Sequence, residues 1–217
     1  TAVVGISGGL DSTLALIVAV RAMEKLGRPA SDVLTVTMPC FGTGKRTRSN
    51  AEDLSLLLGT DFRCVDIAAA AEQHLHDIGH TLDNYDVTYE NAQARERTQV
   101  LMDIANQTGG IVIGTGDLSE VALGWSTYNG DHMSMYGVNC TVPKTLVRYV
   151  VRHYADNCGN EKLAAVLCDI LDTPVSPELV PSKPGEINQR TEDILGTYEL
   201  HDFFLYYMIR AGYSHEK

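Results

Sequence analysis

The chain has 217 residues, 44% of them hydrophobic and 21% charged, which suits one sizeable globular domain with a full core. Its net charge of −11 argues against a broad nucleic-acid surface, which needs a clustered basic face, but leaves room for a small basic pocket for phosphates. No apolar stretch is long enough to span a bilayer, and the five cysteines, odd in number and without a C-x-x-C pair, argue against a disulfide framework or a zinc ribbon. Mostly buried, reduced thiols in a cytoplasmic protein are expected. With no initiator Met, and opening directly on a strand, the chain is expected to be a piece of something longer.

In chain order, Ala2 to Ile6 reads as a buried strand and Ser12 to Leu26 as a helix with a mostly apolar face. Val33 to Met38 is a second buried strand, followed by the glycine-rich loop Phe41-Gly42-Thr43-Gly44 and a helix from about Arg48 to Leu58. Phe62 to Ile67 is a third strand, Ala68 to Ile78 a helix, Asn91 to Gln107 a long helix and Ile111 to Thr115 a fourth strand. Beyond Gly114 the pattern becomes helical with long polar loops. Prolines between Pro174 and Pro184 mark an irregular segment, and Tyr198 to Ala211 closes as an aromatic-rich helix. Strands alternating with helices predict an α/β fold: a Rossmann-like parallel sheet covered by helices on both faces, with a helical C-terminal part. Ligands then bind at the carboxyl ends of the strands, where the loops after Ile6, Met38 and Ile113 meet.

The segment Ser7-Gly8-Gly9-Leu10-Asp11-Ser12 carries the sharpest signal. Two glycines let backbone N–H groups approach an oxyanion, Ser7 and Ser12 add hydroxyls, and the following helix adds a partial positive charge at its start. Asp11 would repel phosphates unless a divalent metal lay between them, so the six residues point to pyrophosphate plus Mg²⁺. Gly5-Ile6-Ser7-Gly8-Gly9 also satisfies G-x-S-x-G, the nucleophile elbow of serine hydrolases, although that reading gives Asp11 and Ser12 no role. A Walker A loop does not fit, because Pro39 stands where Gly44-Lys45 would need its first glycine, and Gly42-Thr43-Gly44 lacks the third glycine of a dinucleotide fold. His74, His76 and His80 have a spacing that could set two imidazoles on one helix face, without a matched thiolate or carboxylate cluster for zinc.

Ser7 to Ser12 resembles the signature loop of the ATP pyrophosphatase (PP-loop) enzymes, whose fold is that of the adenine nucleotide alpha hydrolases. Within that group, five later segments resemble NAD⁺ synthetase. They are Asn91-Ala92-Gln93-Ala94-Arg95-Glu96-Arg97, Gly114-Thr115-Gly116-Asp117-Leu118-Ser119-Glu120, Trp125-Ser126-Thr127-Tyr128-Asn129-Gly130-Asp131, Val142-Pro143-Lys144-Thr145 and Thr191-Glu192-Asp193. The likeness extends over nearly the whole chain, and Asp131-His132-Met133-Ser134-Met135-Tyr136 resembles the synthetase domain of the long, glutamine-dependent form.

The resemblance implies one synthetase domain over residues 1–217, with a glutaminase domain upstream in the longer chain and a homo-oligomer built on a dimeric core. It implies ATP-dependent amidation of deamido-NAD⁺ with ammonia, through an adenylated intermediate, releasing AMP and pyrophosphate, with Mg²⁺ as cofactor. It places Ser7, Gly8, Gly9, Asp11, Ser12, Met38, Arg95, Thr115, Lys144 and Ser176 at ATP, with Mg²⁺ held by Asp11 and Glu120. Asn91, Trp125 and Asp131 would surround deamido-NAD⁺, with Lys144 and Asp131 closest to the chemistry and Glu192 a further candidate. Each residue also has a plainer role open to it: a solvated helix carboxylate for Glu120, a surface ion pair for Arg95, core packing for Trp125, an N-cap or Asx turn for Asp131. Lys144, one residue past Pro143, sits where a helix dipole disfavours a cation, which makes sense if it faces phosphate. Other functions left open are tRNA modification by a relative with the same loop, and a non-catalytic nucleotide-binding module.

Overall fold

The first turn is set by Gly8, whose φ of +82° is a left-handed conformation that only glycine adopts at little cost. A Cβ there would also run into the Thr47 carbonyl, so both backbone angle and space require glycine. In the computed structural model, which describes residues 1–173, 179, 180, 191–214 and 216, this turn joins strand β1 (Ala2–Gly5) to helix α1 (Leu10–Lys25). Helix α1 starts two residues earlier than its apolar pattern predicts, because Gly9 takes the extended N-cap position. Asp11 is thereby brought into the first helical turn.

The order continues with β2 (Val33–Thr37), α2 (Lys45–Leu57), β3 (Asp61–Cys64), α3 (Ala68–Asp77), α4 (Val87–Thr108) and β4 (Ile111–Gly114). Then come α5 (Leu118–Leu123), β5 (Tyr136–Gly137), α6 (Lys144–Asn157), α7 (Glu161–Leu171), α8 (Thr191–Leu195) and α9 (Tyr198–Leu205), which runs on into a π-turn over Tyr206–Arg210. The four predicted strands are present, and β5 is an addition: two residues that pair with Ile113 and Gly114, too few to leave a periodic signal. Helix α4 starts four residues before the predicted Asn91, because Asp86 caps it by accepting from the Thr88 and Tyr89 amides at 2.8 and 3.1 Å.

The sheet order is β3-β2-β1-β4-β5 with every pairing parallel. The chain builds outward from β1 to β3, then returns to β1's other side with β4. The carboxyl ends of β1 and β4 therefore diverge at a topological switch point, where an α/β sheet opens a crevice. Alternate strand residues face opposite layers, as the pleat requires. Val4, Ile6, Val33 and Ile113 pack with α1, α6 and α7, while Val3, Leu34, Val36 and Val112 pack against Ile104 and Ala105 of α4. Helix α6 contributes Val147, Val151 and Ala155, a stripe at four-residue spacing that fixes which way its first turn points.

Helix α7 is capped by Asn160, whose Oδ1 accepts from the Lys162 and Leu163 amides at 3.1 and 3.2 Å, and which does not line the crevice. Asn160→Ala is expected to lower stability by about 1 kcal/mol in urea denaturation, without other consequence. The expectation of mostly buried thiols does not hold. Cys64 and Cys140 are exposed, and Cys40, Cys158 and Cys168 half-buried, because β3 is a sheet edge and residue 140 lies in a loop. All five are free thiols. Among the described residues no helix is long and apolar enough to cross a membrane.

Candidate active site

The turn after β1 is braced from within. The Gly9 amide donates to Ser7 Oγ at 3.1 Å, the Ser7 amide to Ser12 Oγ at 3.3 Å, and the Ser12 and Thr13 hydroxyls to the Gly9 carbonyl at 3.0 and 2.8 Å. Among the described residues Ser7 Oγ has Ser12 Oγ and the Gly9 amide as partners and no histidine, so the G-x-S-x-G reading lacks its general base there. Asn139, almost fully buried, staples this turn to the neighbouring strand end: its Nδ2 donates to the Asp11 carbonyl at 2.9 Å and the Thr115 carbonyl at 3.0 Å.

Between the β1 and β4 loops lies a lysine among three carboxylates. Lys144 Nζ is 2.6 Å from Asp11 Oδ2, 2.6 Å from Asp117 Oδ2 and 2.8 Å from Glu120 Oε1, and its side chain is only 4% exposed. Each member comes from a different local device. Asp11 rides the first turn of α1; Asp117 caps α5, with Oδ1 accepting from the Glu120 amide at 2.9 Å; Glu120 follows one turn later; Lys144 opens α6. Burial pushes Asp11 up to about 7, with Lys144 pulling it back and the Glu120 and Asp117 charges pushing further. Burial raises Glu120 in the same way, against the pull of Lys144. Lys144 itself would be lowered by burial, but Asp11, Glu120 and Asp117 together hold its ammonium well above the usual lysine range. With all four groups ionised, three carboxylates against one ammonium leave a surplus of negative charge in a poorly solvated pocket.

That surplus suits a divalent cation. The ligand atoms of Asp11, Asp117 and Glu120 lie within 4.8 Å of one another, and Asp11 Oδ1 is buried without a hydrogen-bond donor among the described residues. Hard carboxylate oxygens in this number fit Mg²⁺. Among the described residues no histidines gather in this way: His74 and His76 stand exposed on α3, and His80 turns to Asp86 at 3.0 Å.

The cluster opens on a cavity of about 790 Å³ at the crevice. Its lining includes Ser7, Gly9, Asp11, Ser12, Met38, Thr115 and Glu120, together with Asn91, Trp125 and Asp131; Lys144 and Asp117 lie behind that lining. Gly8 is buried beneath the turn. Arg95 is not brought into the lining; it is exposed and donates to the Tyr128 carbonyl at 3.2 Å, while Arg97 and Arg148 line the cavity instead. Glu192 Oε1 accepts from the Tyr198 amide at 3.2 Å and so caps α9. Ser176 lies outside the described residues. Asp117, Asn139, Arg97 and Arg148 were not singled out from sequence. Asp117 had a readable signal in its place between Gly116 and Glu120, and Arg97 one in closing the family-like segment that opens at Asn91; Asn139 and Arg148 had none.

The family model for NAD synthase matches residues 1–216. The glutamine-dependent NAD(+) synthetase of Mycobacterium leprae is 51% identical over 99% of this chain, which covers 32% of that protein; the chain thus spans about a third of such a relative's length. Among solved structures, NMN synthetase from Francisella tularensis superposes with a TM-score of 0.72 at 27% identity, covering 94% of this chain and 76% of that one. The glutamine-dependent NAD+ synthetase of Acinetobacter baumannii, solved with ADP, shares the fold with a TM-score of 0.71 at 24% identity, over 99% of this chain and 38% of that one. A match that runs from the first residue to the last but one, with half of all positions shared with one relative, makes this chain a member of the NAD synthase family.

Proposed function

We propose that this chain is the synthetase domain of a longer enzyme, amidating deamido-NAD⁺ to NAD⁺ at the expense of ATP. One observation carries the reading: a buried lysine held by Asp11, Asp117 and Glu120 beside a glycine-rich turn, with Asp11, Glu120 and that turn lining a single cavity of about 790 Å³. The nicotinate carboxylate attacks the α-phosphorus of ATP; a P–O bond to the carboxyl forms, and the bond to pyrophosphate breaks. Ammonia then attacks the carboxyl carbon, AMP leaves with the C–O bonding pair, and the nitrogen loses a proton.

The turn from Ser7 to Ser12 receives the leaving pyrophosphate on its amides and hydroxyls, and Lys144 neutralises phosphate charge as it separates. Mg²⁺, held by Asp11, Glu120 and Asp117, would supply the divalent charge that offsets the phosphate oxygens. Met38 and Thr115 border the adenosine, and Arg97 and Arg148 offer cations to the nucleotide; Arg95 could join them only by leaving Tyr128. Trp125 stacks on the nicotinate, Asn91 holds the dinucleotide, and Asp131 stands beside the ammonia path. In the longer protein a glutaminase domain would supply ammonia, and the enzyme would work in the cytoplasm as an oligomer with a dimeric core.

The test is turnover of purified protein with ATP, Mg²⁺, deamido-NAD⁺ and ammonium. AMP, pyrophosphate and NAD⁺ in equal amounts are expected; release of ADP and phosphate would reject the reading. Nicotinate mononucleotide in place of deamido-NAD⁺ should be the poorer substrate, since the Mycobacterium leprae dinucleotide enzyme is 51% identical and the Francisella mononucleotide enzyme 27%.

A further inference from the structure

Helix α6 begins at Lys144 with no cap of its own. Its N-cap residue is Pro143, whose side chain cannot accept a hydrogen bond, and its first turn holds no acidic residue. The first amides are satisfied from elsewhere. The Lys144 amide donates to Ser119 Oγ at 3.0 Å, and Ser119 Oγ in turn donates to Asp202 Oδ1. Asp202 Oδ2 accepts from both the Thr145 amide at 2.8 Å and the Thr145 hydroxyl at 2.7 Å. Asp202 is buried, and it lies 57 positions along the chain from Thr145, whose amide it caps.

The same helix face touches the lysine a second time. Tyr198 lies one turn before Asp202 on α9, is 3% exposed, and presents its ring 5.5 Å from Lys144 Nζ. Its hydroxyl has no hydrogen-bond partner among the described residues, so the ring is the part the lysine meets. Asp202 thus fixes the backbone at Lys144, and Tyr198 walls in its ammonium. Both come from the last long element of the chain.

We propose that Asp202 is a positioning residue: by capping α6 in trans through Thr145 and Ser119, it holds Lys144 at the carboxylate cluster. The inference rests on the function proposed above for Lys144. Asp202 itself lies one residue removed from the reacting groups, so it acts on the rate of the chemical step through the lysine's placement. Asp202→Ala is expected to lower kcat about 100-fold, with KM for ATP changed less than about threefold. Asp202→Asn keeps the side chain's shape and one accepting oxygen, and should fall between it and the parent.

The experiment measures kcat, KM and amine labelling of Lys144 by mass spectrometry in the parent chain, Asp202→Ala, Asp202→Asn and Asn160→Ala. Lower kcat with faster Lys144 labelling in the Asp202 variants, both unchanged in Asn160→Ala, is the expected result. Turnover within about twofold of the parent, unchanged Lys144 labelling, or the same losses in Asn160→Ala would overturn it. If Asp202→Ala does not fold, the isosteric Asp202→Asn decides. A parent chain that releases no AMP would reject the functional reading alone, because labelling still reports where the lysine sits.

Discussion

Lys144→Met should cost about 3–5 kcal/mol of folding stability, the penalty of removing one partner from a buried charge cluster. The side chain it replaces is 4% exposed and is the cation that faces Asp11, Asp117 and Glu120 together. Methionine fills much the same volume, so packing is largely conserved and the loss reports charge. Asp117 suffers most, because its side chain is fully buried and, among the described residues, keeps only the cap bond to Glu120. Adding Asp11→Asn to Lys144→Met should recover part of the stability by removing one of the stranded charges, a coupling that a double-mutant cycle in urea reads directly. Strictly additive losses would mean that the lysine does not balance that carboxylate.

The asymmetry between what the sequence makes legible and what it hides follows from distance along the chain. Asp11 and Gly8 lie in one six-residue turn whose local geometry is written in its glycines, so the turn and its chemistry can be read together. Lys144 announces itself by standing where a helix start disfavours a cation. Asp117 looks like an ordinary N-cap because one of its oxygens is one; the other meets Lys144, 27 positions on, and no periodicity records that. Asn139 and Asp202 are further cases, tied to partners 128 and 57 residues away. Strand β5 escapes for the opposite reason, being only two residues long and held by β4 rather than by its own pattern. Arg95 and Arg97 both sit in the segment that resembles the family, yet helix α4 turns the second and not the first into the cavity.

Asp11→Asn and Glu120→Gln are each expected to lower turnover by about 100- to 1,000-fold, the scale seen when one preorganised electrostatic contact is removed from a site. Both changes keep the side chain's size and remove its charge, so the fold should survive. Asp11 carries the sharper expectation, because among the described residues its Oδ1 is buried without a donor while Oδ2 already pairs with Lys144. With the metal held as proposed, Mg²⁺ is expected to raise the parent's melting temperature in the presence of ATP, and the variants should lose that gain, a readout independent of turnover. Asp117→Asn differs in kind. It weakens the cap of α5 as well as the cluster, so its loss of activity should come with a fall in stability that the other two lack. If all three variants kept the Mg²⁺-dependent stabilisation, the carboxylates would be partners of Lys144 alone, and the metal would have to bind elsewhere.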